Sequence, residues 1–204
     1  QVDYDITDQW MFSFGLRAIL EEKDYEYRVD FYDNVDDRSP DGLLFQGRQP
    51  LAPNAFLFGN LPNQQFSDSF STGLWSGKVQ LNFAPTDDLL FYAGVSRGVK
   101  AGSYNAPLLT NLSPGEMEYD EEVLISYEAG FKSTLWDGRV RFNGSGYYYD
   151  YNDYQAFQFI GTSGAVVNAD AEYYGVEFDI QANPIDNLDF LFGIGLIDAE
   201  VKDI

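Results

Sequence analysis

The sequence contains no cysteine and no histidine. Without cysteine there is no disulfide and no thiolate metal site. Without histidine the chain lacks the commonest metal ligand and the usual general base at neutral pH, so no ordinary Ser-His or Cys-His machinery can be assembled. Positive charge is also scarce. Twelve Lys and Arg stand against 33 Asp and Glu, a formal net charge of −21. Binding of nucleic acid needs basic surface to replace phosphate counterions, so DNA and RNA are excluded as partners. No run of 18 apolar residues occurs, so no transmembrane helix is encoded. A membrane is not thereby excluded. A transmembrane strand needs only ~9–11 residues, every second one facing lipid, and a mean hydropathy of −0.30 suits a barrel as well as a soluble protein.

What the chain does have is a recurring pattern of a polar turn holding an Asp, followed by an alternating strand. It occurs over Ile6 to Leu16, Pro85 to Val95, Leu135 to Ser145 and Pro184 to Ile194. Short turns on one rim and long polar loops on the other are the signature of an antiparallel outer-membrane barrel. Trp10, Phe12, Phe14, Leu16 and Ala18 share one face of a strand that runs to about Tyr27, with Met11, Ser13, Gly15 and Arg17 opposite. Period two with one apolar face means a strand whose other face is wet.

Further strands are expected from about Phe70 to Phe83, from Leu89, from about Glu121 to Leu135, from Arg139 to about Tyr154, from Ala165 to Ala182, and from Leu188 to about Glu200. Val140, Phe142, Gly144, Gly146 and Tyr148 share one face; Arg139, Arg141, Asn143 and Ser145 share the other. Asp137-Gly138 is a strong hairpin signal, because both residues tolerate positive φ. Asp33 to Phe66 and Lys100 to Tyr119 read as long loops, a length that is usually functional or disordered. The total is about seven or eight strands, with alternately short and long connections. The chain opens in what reads as the middle of a hairpin, so a fragment of a larger protein is expected.

Aromatic residues make up 17% of the chain, enough to ask where they cluster. Trp10 and Trp136 flank short turns. Tyr147, Tyr149 and Tyr151 gather toward the far end of their strand. Rings at both ends of the strands are expected to form interfacial girdles in a bilayer. No catalytic constellation is found. Pairs such as Glu121-Glu122 and Asp36-Asp37 are adjacent residues that do not converge, so they read as solvated acids, and the chain is read as not an enzyme. No cofactor and no metal site is expected, although calcium in the acidic loops stays open.

Several stretches then resemble one family. Tyr92-Ala93-Gly94-Val95-Ser96-Arg97-Gly98-Val99-Lys100-Ala101-Gly102-Ser103-Tyr104-Asn105 resembles the "Y-A-S-Y-S-R-G-F-K-S-G-G-F-N" stretch of TonB-dependent outer-membrane receptors. Ser126-Tyr127-Glu128-Ala129-Gly130-Phe131-Lys132 resembles their "S-Y-E-A-G-F-K" strand. Asp137-Gly138-Arg139-Val140-Arg141-Phe142-Asn143 resembles the turn and strand that follow. Gly15-Leu16-Arg17 and the Asn168-to-Glu177 stretch are similar to further strands of the family, so the likeness spans nearly the whole chain outside the long loops.

The resemblance implies an all-β fold: an antiparallel transmembrane β-barrel segment of a larger barrel of about 22 strands, with short periplasmic turns and long extracellular loops. It implies that residues 1–204 are part of one barrel domain, with the plug domain and TonB box lying outside this chain. It further implies uptake of a scarce, bulky nutrient, a ferric siderophore foremost. The partners implied are outer-membrane lipid, the protein's own plug domain, a TonB-type energy-transducing complex and a small-molecule ligand such as a metal chelate. The location implied is the outer membrane of a Gram-negative bacterium. Ligand candidates are Phe45, Arg48, Phe56 and Phe58 in the first long loop and Lys100, Tyr104 and Asn105 in the second, where aromatic faces and a few cations could hold a rigid ligand. Arg17, Arg139 and Arg141 are expected to face the lumen and to pair with acids such as Glu128. Two other readings stay open: a small complete outer-membrane barrel with a structural or adhesion role, and a soluble carbohydrate-binding β-domain.

Overall fold

The computed structural model describes residues 1–29, 32–33, 49–50, 64–106, 117–160 and 163–202. Its strands are β1 (Val2–Asp5), β2 (Trp10–Val29), β3 (Tyr32–Asp33), β4 (Gln49–Pro50), β5 (Gln64–Thr86), β6 (Leu89–Lys100), β7 (Ser103–Tyr104), β8 (Glu118–Tyr119), β9 (Glu122–Leu135), β10 (Val140–Ile160), β11 (Ser163–Ile185) and β12 (Leu188–Lys202). Eight of them form one antiparallel sheet in the order β1-β2-β5-β6-β9-β10-β11-β12. Strands adjacent in sequence are thus adjacent in space, apart from two small hairpins, β3–β4 and β7–β8, that lie outside the sheet.

The register sets the two faces. Phe12 pairs with Leu81, Leu81 with Ala93, and Ala93 with Ala129. Ala129 pairs with Gly146, Gly146 with Val176, and Val176 with Leu196. Each pairing keeps an apolar or small residue on the same side, because partners in an antiparallel ladder point the same way. This apolar face is exposed. Leu20 is 91% accessible, Leu196 64% and Phe192 58%, values that would be untenable over so wide a surface in water. From Trp10 to Leu20 on β2, or from Leu188 to Leu196 on β12, the apolar stretch is about ten residues. Tilted by ~40°, this covers roughly 25 Å, the height of a lipid-facing band. Charge begins just beyond it, at Glu22, Asp150, Glu172 and Asp198.

Three of the short turns show how the sequence closes one rim. In the third, the Arg139 amide donates to the Trp136 carbonyl at 3.1 Å, with Asp137 at φ 53° and Gly138 at φ 86°. This is the type I′ geometry expected of Asp-Gly, whose twist matches the flanking strands. In the fourth, Asn187 takes φ 67°. In the first, the Thr7 hydroxyl accepts from the amides of Gln9 at 3.2 Å and Trp10 at 3.1 Å. Neighbouring turns are also joined to one another. Ala84 donates to the Gln9 carbonyl, Thr134 to that of Asp88, and Asn183 to that of Arg139, each at 2.8 Å.

The strands on the opposite side are longer than the sequence pattern indicates. β5 begins at Gln64 rather than near Phe70, and β10 runs on to Ile160 rather than stopping near Tyr154. The reason in β10 is a bulge. The register shifts between Tyr151 and Tyr154, and Asp153 takes φ 56°. One extra residue inverts the alternation, so the sequence loses its period while the ladder continues. The β10–β11 hairpin therefore stands above the apolar band.

Candidate functional site

The polar face carries the side chains that could meet a solute. At the level of the apolar band it holds Ser13, Gln80, Asn82, Tyr92, Glu128, Asn143, Ser145, Glu177 and Asp179. The Tyr92 hydroxyl donates to Glu128 Oε1 at 2.7 Å, and Asn143 Nδ2 donates to Asp179 Oδ1 at 3.0 Å. Two large rings lie flat across a glycine on the next strand. Tyr92 is the register partner of Gly130 and Tyr147 that of Gly175. A Cβ at Gly130 would come within 2.7 Å of the Tyr92 hydroxyl, and one at Gly175 within 2.6 Å of the Tyr147 hydroxyl. Only glycine leaves the ring this room.

A column of tyrosines climbs this face toward the long-loop rim. Tyr147 stacks on Tyr149 with centroids 4.7 Å apart. Tyr151 meets Tyr154 at 5.4 Å and Tyr173 at 5.1 Å. Tyr147, Tyr149 and Tyr151, expected at the membrane interface, thus alternate with the outward residues and lie on the polar side, because period two separates them from Tyr148. The outward border of the apolar face is instead marked by Tyr127, Tyr148 and Tyr174, which pair in one row across β9, β10 and β11. At the short-turn border Trp10 stacks on Phe83 at 4.4 Å, and Trp136 sits exposed in its turn. These are the positions that interfacial aromatics occupy in bilayer proteins.

Over the top of the polar face folds the β7–β8 hairpin. Tyr104 is buried in a nest of rings, 4.8 Å from Tyr25 and 5.7 Å from both Phe66 and Phe70. Burial pushes the Tyr104 hydroxyl above its ordinary pKa, and the carboxylates of Asp68 and Glu118 push it further. Lys23 Nζ donates to the Gly102 carbonyl at 2.6 Å, and the Tyr25 hydroxyl donates to the Asn105 carbonyl at 2.9 Å. Asn105 is buried, and its side chain spans to β11: Nδ2 donates to the Val166 carbonyl at 2.8 Å, and the Val166 amide donates to Oδ1 at 2.7 Å. A side-chain amide here makes the paired bonds that a neighbouring strand would make. Because β5, β6, β9 and β10 lie between β2 and β11 in the sheet, the hairpin ties together two distant strands across the polar face.

Of the ligand candidates in this loop, Tyr104 and Asn105 therefore have their rings and polar atoms engaged within the protein. Lys100 is exposed at the end of β6, where it pairs in register with Glu122. Phe45, Arg48, Phe56 and Phe58 lie outside the described residues. Arg141 shares the polar face. Arg139 does not belong to the strand alternation, because it is the last residue of the type I′ turn. It donates to the Pro184 carbonyl at 3.5 Å and lies 4.0 Å from Asp186. Sequence reasoning missed the tyrosine column, although alternation from Phe142 and Gly144 already assigned Tyr147 and Tyr149 to the other face. It had no signal for the Asn105–Val166 contact, which joins residues 61 positions apart.

Residues 1–202 match the family model described as TonB dependent receptor-like, beta-barrel. Among solved structures the chain is similar to the ferric yersiniabactin uptake receptor FyuA from Yersinia pestis (17% identity, TM-score 0.71), covering 98% of this chain and 26% of that one. It is also similar to the ferric-catecholate import receptor Fiu from E. coli K12 (12% identity, TM-score 0.64), covering 98% of this chain and 27% of that one. The copper transporter OprC is a third (16% identity, TM-score 0.63), covering 95% of this chain and 28% of that one. The chain thus spans about a quarter of the length of the solved structures it matches, and at these identities the likeness concerns the fold.

Proposed function

The chain belongs to the TonB-dependent receptor-like β-barrel family, and on that premise we propose that the whole protein is an outer-membrane receptor of a Gram-negative bacterium that takes up a scarce, bulky nutrient, a ferric siderophore foremost. In this reading the short turns face the periplasm and the long loops face outward. The plug domain lies outside residues 1–204 and fills the lumen. A TonB-type complex at the inner membrane supplies the energy for release of the ligand, and no chemical step is catalysed.

The observation that carries the reading is the contrast between the faces of one sheet. One is apolar, exposed and about 25 Å tall, as a bilayer requires. The other is lined with tyrosine rings, amides and carboxylates and is roofed by the β7–β8 hairpin, whose Tyr104 is buried. A soluble carbohydrate-binding domain would have to bury the apolar face. A small complete barrel would have to pair β1 with β12, and among the described residues those strands do not pair. Two of the structural relatives are named for uptake or import of ferric chelates and one for copper transport, which supports a metal-bearing ligand.

The test is growth of an iron-starved strain lacking the full-length protein, supplied with one ferric chelate at a time. Loss of growth on one chelate, restored by the intact gene, is expected. Undiminished growth and uptake on every ferric chelate overturns the siderophore assignment.

A further inference from the structure

β12 is apolar on both faces. Phe190, Phe192, Ile194 and Leu196 point outward to lipid, and Leu191, Gly193, Gly195 and Ile197 alternate with them. The register fixes the second set as inward, because Gly193 pairs with Asp179 and Gly195 with Glu177. On β10 and β11 the inward positions at this height are Asn143, Ser145, Glu177 and Asp179, so the lumen wall turns from polar to apolar within one strand. Leu191 is 80% accessible and Ile197 64%. A near-continuous apolar run such as Phe190 to Ile197 is the pattern of a strand covered on both sides. Lipid covers one side of β12.

The two glycines point to what covers the other side. Gly130 and Gly175 are required by rings of this chain, but Gly193 and Gly195 are not. A Cβ at Gly193 would meet nothing nearer than the Phe178 carbonyl oxygen at 3.9 Å, and one at Gly195 nothing nearer than Glu177 Cγ at 3.6 Å. Both are ordinary contacts. Neither glycine has a positive φ; among the described glycines only Gly138 does. Glycine weakens the interior of a strand, and where the strand itself does not need it, it marks a place where another backbone comes close. Here the pair forms one side of an inward groove of ≈ 480 Å³, with Asn143, Ser145, Glu177 and Asp179 on the other.

We propose that the inward face of β12, from Leu191 to Ile197, is a dry seat for the plug domain, on which a backbone segment of the plug crosses at Gly193 and Gly195 with aliphatic side chains against Leu191 and Ile197. The inference rests on the reading of the whole protein as a plugged receptor. Enclosure selects the occupant. This face is turned away from the bilayer, so neither lipid nor a second copy of the chain reaches it. A solute in transit would leave the aliphatic surface in water between passages, which apolar surface disfavours. A plug segment covers it permanently. Bare backbone at the two glycines lets the segment approach more closely than a side-chain-covered wall allows, and the aliphatic pair on either side then gains dispersion contact as well as burial.

The test uses the full-length receptor in planar bilayers, with conductance read as urea is raised to dislodge the plug. Gly193→Val combined with Gly195→Val fills the seat, fits this chain's own contacts and favours the strand. Heat-modifiable migration on a gel checks that the barrel has formed. The wild type should stay closed until urea opens it, and so should the control Ala129→Val, which adds apolar bulk on the lipid side. The double variant should open at half that urea concentration or less. Ile197→Cys carries the same test without added bulk: a water-soluble maleimide should label it at least tenfold more slowly in the native receptor than in urea. A double variant as tightly closed as the wild type, or Ile197→Cys labelled equally fast with and without urea, overturns the seat. A wild type that conducts without urea has no plug, and that result overturns the reading on which the seat rests.

Discussion

Asn105 and Val166 exchange two hydrogen bonds, with the side-chain amide of one serving the backbone of the other at 2.8 and 2.7 Å. The backbone carbonyl of the same Asn105 accepts from the Tyr25 hydroxyl, and Lys23 holds Gly102 three residues before it. A loop that would otherwise sway over the opening of the barrel is thereby pinned at both sides. Asn105→Leu removes both bonds and leaves the Val166 groups unpaired, at a cost of about 1–3 kcal/mol. Hydrogen exchange should show faster exchange at the Val166 and Asn105 amides, while the turns at the other rim remain protected. Asn105→Asp keeps the acceptor but sets a second oxygen against the Val166 carbonyl in a buried position, so it should not restore the protection.

The ring nest around Tyr104 makes a pH prediction. The hydroxyl is raised above its ordinary value by burial and by the neighbouring Asp68 and Glu118. The folded protein thus holds the proton more tightly than the unfolded chain does. The sign follows from linkage: the contribution is fully present below the unfolded value of about 10 and is lost as pH rises from there through the folded value. Phenolate absorbance should therefore show a late-titrating tyrosine that Tyr104→Phe removes. Tyr104→Phe keeps the stacking and should leave hairpin protection at pH 7 nearly unchanged, whereas Tyr104→Ala should not.

A third expectation concerns Gly175. A Cβ there would lie 2.6 Å from the Tyr147 hydroxyl and 2.5 Å from the Leu196 carbonyl oxygen. Gly175→Ala should destabilise by about 1–3 kcal/mol, as overpacking does. The second contact is with backbone, so Tyr147→Ala introduced alongside should restore only part of the loss. Full restoration, measured by thermal melting in detergent, would mean that the ring alone sets the requirement.

Substitutions of opposite-facing neighbours test the orientation of the wall. Phe178 faces outward and Asp179 inward on β11. Phe178→Arg should cost about 2–4 kcal/mol and lower the inserted fraction, the depth-dependent penalty for arginine on the lipid side. Asp179→Arg should insert normally. Equal insertion yields for the two would contradict the assignment of faces.

Gly138 carries φ 86° as the second central residue of its turn. Gly138→Val should cost about 1–2 kcal/mol from the left-handed backbone alone. Gly138→Asn should cost less, because asparagine tolerates that region. Refolding into detergent micelles followed by urea titration would measure both.

Much of this architecture could be read from the residues. The alternation in Trp10 to Ala18 and in Leu188 to Leu196 is enough to identify strands and their apolar side, and Asp137-Gly138 specifies its turn by local sterics. Alternation fails where its physical cause fails. Above the apolar band both faces of β10 meet polar surroundings, and the bulge at Asp153 shifts the period, so the alternation marks the strand only to about Tyr154 although the ladder runs on to Ile160. The tyrosines illustrate a different loss. Tyr147 to Tyr149 are three rings in a row in the sequence, yet adjacent residues of a strand point apart, so one cluster divides between two faces. The fit of Tyr104 among Tyr25, Phe66 and Phe70 depends on three chain segments meeting, and no local pattern encodes such a meeting.

The bonds between neighbouring turns have a mechanical consequence. Ala84 to Gln9, Thr134 to Asp88, and Asn183 to Arg139 are spaced around the same rim, like rivets through a hoop. A force that pulls two strands apart sideways at this rim must first break the rivet and only then open the ladder. At the other rim the strands end at different heights, and above the ends of β9 and β12 the β10–β11 hairpin is held by side-chain bonds such as Asn105 to Val166 in place of a continuous ladder, so tension there is borne one pair at a time. The wall therefore tears from the long-loop side downward, and the short-turn rim is the last part to give way.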